Sequence, residues 1–216
     1  MTPVPVTPPP GARLVLATHN VHKVRELRAI LSPFLPGLEP AAVVGAGDLG
    51  ADEPVEDGVT FAENALIKAR AMVAATGLPA VADDSGLCVD VLGGAPGVFS
   101  ARWAGRHGDD RANLELLLAQ LADVPARHRG AHFACAAALV TPAGLEVVEE
   151  GTMQGVLLTA PRGTGGFGYD PILQPVGESR SSAELSPAEK NAISHRGKAF
   201  AALVPHVVAT LARAPR

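Results

Sequence analysis

Cysteine is scarce in this chain: only Cys88 and Cys135 occur in 216 residues, far apart, in apolar surroundings and outside any C-x-x-C spacing. That argues against a thiolate metal site and leaves both as small core residues, as expected in a reducing compartment. Positive charge is also in short supply, because 18 Lys and Arg face 22 Asp and Glu for a formal net charge of -4. Such a balance gives no bulk attraction to nucleic acid or acidic membranes, though it leaves room for a local basic pocket. No apolar run approaches the roughly 20 residues of a membrane helix, and the N-terminus lacks a signal-peptide core. A soluble, cytoplasmic protein without a membrane or nucleic-acid partner is therefore expected. The P-loop pattern G-x-x-x-x-G-K-[ST], any internal repeat and any linker that would divide the folded part are absent as well.

What is present describes a folded protein, with 47% hydrophobic and 19% charged residues in a length suited to one domain. Met1 to Pro10 holds five prolines and no apolar period, so residues 1–12 are expected to be a disordered tail and 13–216 a single domain. Arg13 to Ala17 reads as a buried strand, and Val21 to Leu31 as a helix with Val24, Leu27, Ile30 and Leu31 on one face. Thr60 and Glu63 have capping-box spacing ahead of an apolar stripe that continues to Met72 and Val73, with Gly77 as its stop. Leu78 to Val81 reads as a short strand, Asp110 to Leu121 as a helix, and Ala131 to Val140 with Leu145 to Thr152 as a hairpin. Ser186 to Glu189 is a second capping box with proline at the first helical position. A last helix is expected over Ser194 to Leu211, kinked or interrupted at Pro205. Together these imply an α/β protein, a mixed sheet with flanking helices.

Five constellations carry candidate chemistry. Ala82-Asp83-Asp84-Ser85-Gly86 follows the Leu78–Val81 run, and adjacent carboxylates delivered by a strand end suit a divalent cation or, equally, a solvated turn. Glu53, Glu56 and Asp57 form an acidic loop, one member of which would complete a metal site with Asp84; hard oxygen ligands suit magnesium or manganese. Thr18-His19-Asn20-Val21-His22-Lys23 lies where a strand feeds a helix N-terminus, a place for a phosphate chain, or for an ordinary N-cap and a surface lysine. Gly163 to Gly168 contains the letters of G-x-G-x-x-G, but Tyr169-Asp170-Pro171 follows at once, so the helix that a dinucleotide loop needs is missing. Phe167 and Tyr169 offer faces for a base, or else core packing. Ser194-His195-Arg196-Gly197-Lys198, with Lys190 upstream, groups cations that fit a base carbonyl or phosphate, or a solvated helix end.

Taken in order, these segments resemble the noncanonical purine nucleoside triphosphate pyrophosphatases, also called inosine triphosphate pyrophosphatases or XTP/dITP diphosphatases. The resemblance runs from about Leu14 to Leu211. It rests on Ala17-Thr18-His19-Asn20 with Lys23 and Glu26, on Phe61-Ala62-Glu63-Asn64-Ala65, and on Ala82-Asp83-Asp84-Ser85-Gly86. It continues in Gly93-Gly94-Ala95-Pro96-Gly97 with Ser100-Ala101-Arg102, in Gly165 to Pro171, and in Ser194-His195-Arg196-Gly197. His19 stands where the family often has a small residue, and Trp103 where tyrosine is common.

The resemblance implies two lobes around a nucleotide-binding cleft, and hydrolysis of ITP, dITP and XTP to the monophosphate and pyrophosphate by a magnesium-dependent cytoplasmic homodimer. It assigns Thr18, His19, Asn20, Val21, His22 and Lys23 to the triphosphate, Glu56 and Asp84 to the metal, and proton removal to Asp84 or Asp83. Lys68 is matched to a phosphate-reaching lysine and Ser85 to a substrate contact. Phe167, Gly168, Tyr169, Asp170, Lys190, His195 and Arg196 surround the nucleotide in this assignment, the aromatic residues and the His195–Arg196 pair dealing with the base. A pyrophosphatase for other modified nucleotides and a nucleotide-binding regulator without turnover are the alternatives.

Overall fold

Two apolar triplets, Leu14–Leu16 (β1) and Val43–Gly45 (β2), pair in parallel, and β1 also pairs in parallel with the longer strand Ala80–Val89 (β3). The structure, a computed structural model, describes residues 5–19, 28, 29, 32–34 and 39–213. Gly130–Val140 (β4), Glu146–Leu157 (β5) and Leu173–Pro175 (β6) complete a six-stranded sheet in the order β2-β1-β3-β4-β5-β6. β5 and β6 are antiparallel, so the sheet is mixed, as the sequence implies. The expected hairpin turn is in place, with the Thr141 N–H donating to Leu145 O at 3.0 Å. Helices Ala46–Leu49 (α1), Phe61–Thr76 (α2), Asp110–Gln120 (α3), Pro187–Ile193 (α4) and His195–Arg213 (α5) accompany the sheet. No helix among the described residues is long and apolar enough to cross a membrane.

The chain forms two compact units, Met1–Asp84 with Ala136–Glu150 and Ala199–Arg216, and Ser85–Cys135 with Gly151–Lys198. The core of the first is alanine-rich: Ala65 and Ala69 of α2 and Ala80, Ala82, Ala136 and Ala138 of the strands, filled out by Val15, Val44 and Met72. Small side chains on both surfaces let a helix and a sheet approach closely. The second core is bulkier, built from Leu87, Leu114, Leu117, Leu121, Phe133, Met153, Tyr169, Ile172 and Leu173. Among the described residues of the proline-rich segment, the Val6 N–H donates to Ala75 O at 2.8 Å, and Val6 packs against the first core.

Two local expectations differ from the structure. Asp83, Asp84, Ser85 and Gly86 are not a turn after a strand but the middle of β3, which runs unbroken from Ala80 to Val89. Strand propensity disfavours aspartate; here the neighbouring strands β1 and β4 and buried side-chain partners override it. Pro205 does not interrupt α5. It sits on an exposed face, as does Ala201, whose carbonyl loses its usual helical donor, while Phe200, Leu203, Val204, Val207 and Leu211 hold the other face in the core. The helix expected over residues 21–31 lies outside the described residues, apart from the helical pair Arg28 and Ala29.

The capping box of α2 forms as the sequence predicts, with the Glu63 N–H donating to Thr60 Oγ1 at 3.1 Å and the Thr60 N–H to Glu63 Oε2 at 3.1 Å. Gly77 ends the helix in the left-handed region. Thr60→Ala is therefore expected to lower the unfolding free energy by about 1 kcal/mol in urea denaturation. An unchanged midpoint would show that the cap contributes nothing to holding α2.

Candidate active site

Within the first unit, β3 buries both aspartates, leaving Asp83 2% and Asp84 9% exposed. Buried carboxylates need hydrogen-bond donors, and for Asp84 α2 supplies them from one face, because Asn64 and Lys68 are spaced i, i+4. Asn64 Nδ2 donates to Asp84 Oδ2 at 3.2 Å, and Lys68 Nζ donates to Asp84 Oδ1 at 3.2 Å. The same ammonium lies 3.0 Å from Glu56 Oε1. Asn64 Oδ1 in turn accepts the Gly58 N–H at 2.9 Å, fixing the loop that carries Glu56. Burial alone would depress the Lys68 pKa, but Asp84, Asp83 and Glu56 together outweigh it and raise the pKa, so the ammonium stays charged.

Glu56 and Asp84, expected to hold a divalent metal, are brought together here on either side of the Lys68 ammonium. Their oxygens also fit a divalent ion that takes its other ligands from phosphate and water. Among the described residues no group of three or more His, Cys, Asp or Glu could enclose an ion by itself. His19 is turned to the acidic loop, with Nδ1 2.9 Å from Glu53 Oε1 and Nε2 2.7 Å from Ala51 O. Thr18 is half-buried, and Asn20, Val21, His22 and Lys23 lie outside the described residues.

Within the second unit a separate cluster gathers around Phe167. Lys190 Nζ stands 5.2 Å and Arg196 Cζ 5.6 Å from its ring centroid. Arg196 also donates to Ser85 Oγ at 3.1 Å, and His195 stacks on Phe133 with ring centroids 4.9 Å apart. Lys190, His195 and Arg196 are 8%, 6% and 3% exposed, which rules out a merely solvated basic helix end. Asp170 accepts the Phe167 N–H at 2.8 Å and Lys190 Nζ at 2.7 Å on the same oxygen, so its carboxylate shapes the loop and fixes the lysine.

Local sequence sets these positions. Ser186 caps α4, and its hydroxyl and N–H, then Arg180, hold Glu189 down at about 2. At the α4–α5 junction the Gly197 N–H donates to Ser194 Oγ at 2.9 Å. A Cβ at Gly197 would strike Asn191 O, so only glycine allows the close junction that places His195 and Arg196. Tyr169 is 4% exposed and donates to Ser100 O at 2.9 Å; its ring belongs to the core.

Sequence reasoning gave no role to Asn64 or to Asp110, whose Oδ2 accepts the Gly168 N–H at 2.9 Å. A signal existed for Asn64, a polar residue on the same helical stripe as Ala65, Lys68, Ala69 and Met72. No local pattern announces Asp110, because its partner lies 58 residues away.

The fold defines a mixed α/β protein with a buried carboxylate–lysine cluster in its first unit and an aromatic–cation cluster in its second. The chain belongs to the Ham1 family, whose model matches residues 14–206. It is 69% identical over 196 residues to a dITP/XTP pyrophosphatase of Streptomyces coelicolor, covering 90% of this chain and 96% of that protein. The dITP/XTP pyrophosphatase of Leifsonia xyli is 56% identical, with 89% and 94% covered. A solved nucleoside-triphosphatase, dITP/XTP pyrophosphatase of Mycobacterium abscessus, is 54% identical with a TM-score of 0.72, covering 89% of this chain and 99% of that one. A HAM1 protein of Coxiella burnetii is 38% identical with a TM-score of 0.81, covering 92% and 99%.

Two measurements follow. Lys68→Met leaves buried carboxylate charge without its ammonium and should cost about 3 kcal/mol of stability at neutral pH; a wild-type denaturation midpoint would show that the pair is solvated. Tyr169 is the chain's one tyrosine, and burial, then the Asp110 charge, raises its pKa. Because the folded phenol holds its proton longer than the unfolded one, its contribution to stability is constant below about pH 10 and declines above it. Ultraviolet titration should show no tyrosinate near pH 10 until the protein unfolds; a step there in folded protein would contradict the assignment.

Proposed function

We propose that this protein hydrolyses noncanonical purine nucleoside triphosphates, namely ITP, dITP and XTP, to the monophosphate and pyrophosphate. The observation that carries this reading is the buried Lys68 ammonium held by Asp84 and Glu56, and the names of the relatives at 69% and 56% identity support it. Magnesium, or manganese with the same ligand preference, fits Glu56 and Asp84 and would supply charge neutralisation at phosphate oxygens and a more acidic water.

Asp84 accepts the proton of the water that attacks the α-phosphorus, with Asp83 as the second carboxylate of the pair. Lys68 keeps Asp84 ionised, and Asn64 fixes which oxygen is presented. Residues 18–23 hold the leaving pyrophosphate in this reading, with Lys23 supplying a full positive charge. Positioning and charge stabilisation account for most of the rate.

Phe167 stacks on the base, and His195, Arg196 and Lys190 donate to it. Hypoxanthine and xanthine carry a C6 carbonyl that accepts such a bond. Adenine has an amino group there and leaves a buried donor unpaired, which discriminates by orders of magnitude. Ser85, held by Arg196, contacts the substrate from β3. The family resemblance extends the reading to a cytoplasmic homodimer, which light scattering can check.

The test is a pyrophosphate-release assay with magnesium on ITP, XTP, dITP, ATP, GTP and dTTP. Turnover is expected for the first three, with ATP slower by orders of magnitude. Equal rates on ATP and ITP would end the proposed selectivity, and no turnover of any would end the enzyme reading. Asp84→Asn should lower kcat on the order of 10²–10⁴-fold with the fold intact; a wild-type rate would remove Asp84 from the mechanism.

A further inference from the structure

The loop from Arg162 to Asp170 is held by ties of different reach. Within the loop, the Phe167 N–H donates to Asp170 Oδ2 at 2.8 Å, which folds the turn but does not determine where it sits. The next N–H, that of Gly168, donates to Asp110 Oδ2 at 2.9 Å, and Asp110 is the first residue of α3. Gly168 has φ +59°, a left-handed conformation that glycine takes without strain, and its N–H is directed to the helix. Tyr169 adds a second remote tie through Ser100 O at 2.9 Å.

Asp110 is not occupied with capping its own helix. That task falls to Asp109, whose Oδ1 accepts the Ala112 N–H at 3.1 Å. Thus the Asp110 carboxylate is available to a loop 58 residues away, and a charged acceptor makes the stronger hydrogen bond. The ring that this bond locates is the one flanked by Lys190 and Arg196 at 5.2 and 5.6 Å.

We propose that Asp110 is a positioning residue of the base site: by accepting the Gly168 N–H it docks the Phe167 turn on the start of α3 and sets the ring against Lys190 and Arg196. The proposal rests on the assignment of Phe167 to the base. The expected signature is weaker substrate capture with unchanged chemistry, because Asp110 touches neither the phosphate nor the carboxylate–lysine cluster.

The test compares Asp110→Ala, Asp110→Asn and Asp109→Ala in the full chain by ITP kinetics and by amide hydrogen exchange at Gly168 without substrate. Asp110→Ala should raise KM by about tenfold, one charge-assisted hydrogen bond's worth, with kcat nearly unchanged and Gly168 exchange faster. Asp110→Asn keeps an acceptor oxygen and should recover most of both effects. Asp109→Ala weakens the helix start without touching Gly168 and should leave KM alone. A wild-type KM in Asp110→Ala, an equal rise in Asp109→Ala, or a raised KM with unchanged Gly168 exchange would each overturn the proposal. If the wild-type protein turns over none of the nucleotides, the functional reading fails, and the exchange data alone decide the clamp: faster exchange in Asp110→Ala keeps it, and unchanged exchange overturns it.

Discussion

A single ammonium, Lys68 Nζ, lies 3.0 Å from Glu56 and 3.2 Å from Asp84, and the arrangement of the first unit depends on it. Two aspartates in the middle of a sheet strand are a poor local choice, and without a cation their burial would be prohibitive. The helix that supplies Lys68 also supplies Asn64, and it packs on the sheet through alanines that bring both donors within reach. Capping by Thr60 and the Gly58–Asn64 bond fix the start of that helix and the acidic loop before it. Cap, helix, loop and strand are thus tied by their polar groups to one carboxylate, which is why a change at any of them reaches Asp84.

The second unit solves a different problem, that of holding two cationic side chains beside one aromatic ring, and an imidazole on another, with little exposure. Lys190 is neutralised by Asp170, Arg196 is held against Ser85, and His195 lies flat on Phe133. The short helix α4 and the glycine junction into α5 give these groups fixed origins. An arrangement of buried donors and an aromatic face built on helix starts favours a planar polar ligand and penalises one that leaves a donor unmatched.

Much of this was legible in the sequence because local chemistry and tertiary structure agree. Both capping boxes, the hairpin around Thr141 and the absence of a helix after Gly168 follow from residue types at fixed spacing. The conformation of the Asp83-Asp84 corner was not legible: turn-forming residues stand in a strand because partners distant in sequence stabilise them there. Pro205 misled for a related reason, since helix continuity is maintained by the apolar face of α5 and the lost hydrogen bond falls on its exposed side. That Lys68 lies between two carboxylates, and that Asp170 folds its loop and holds Lys190, are contacts between residues distant in sequence that no local spacing announces. Long-range pairs such as Asp110 with Gly168 leave no periodic trace in the sequence.

The account as a whole requires water to attack the α-phosphorus under control of Asp84 while pyrophosphate departs. Turnover of ITP in heavy-oxygen water, with the products resolved by mass, reads this directly. The account predicts IMP carrying the heavy oxygen on its phosphate, together with unlabelled pyrophosphate. Label in the pyrophosphate, or IDP and inorganic phosphate as products, would contradict it.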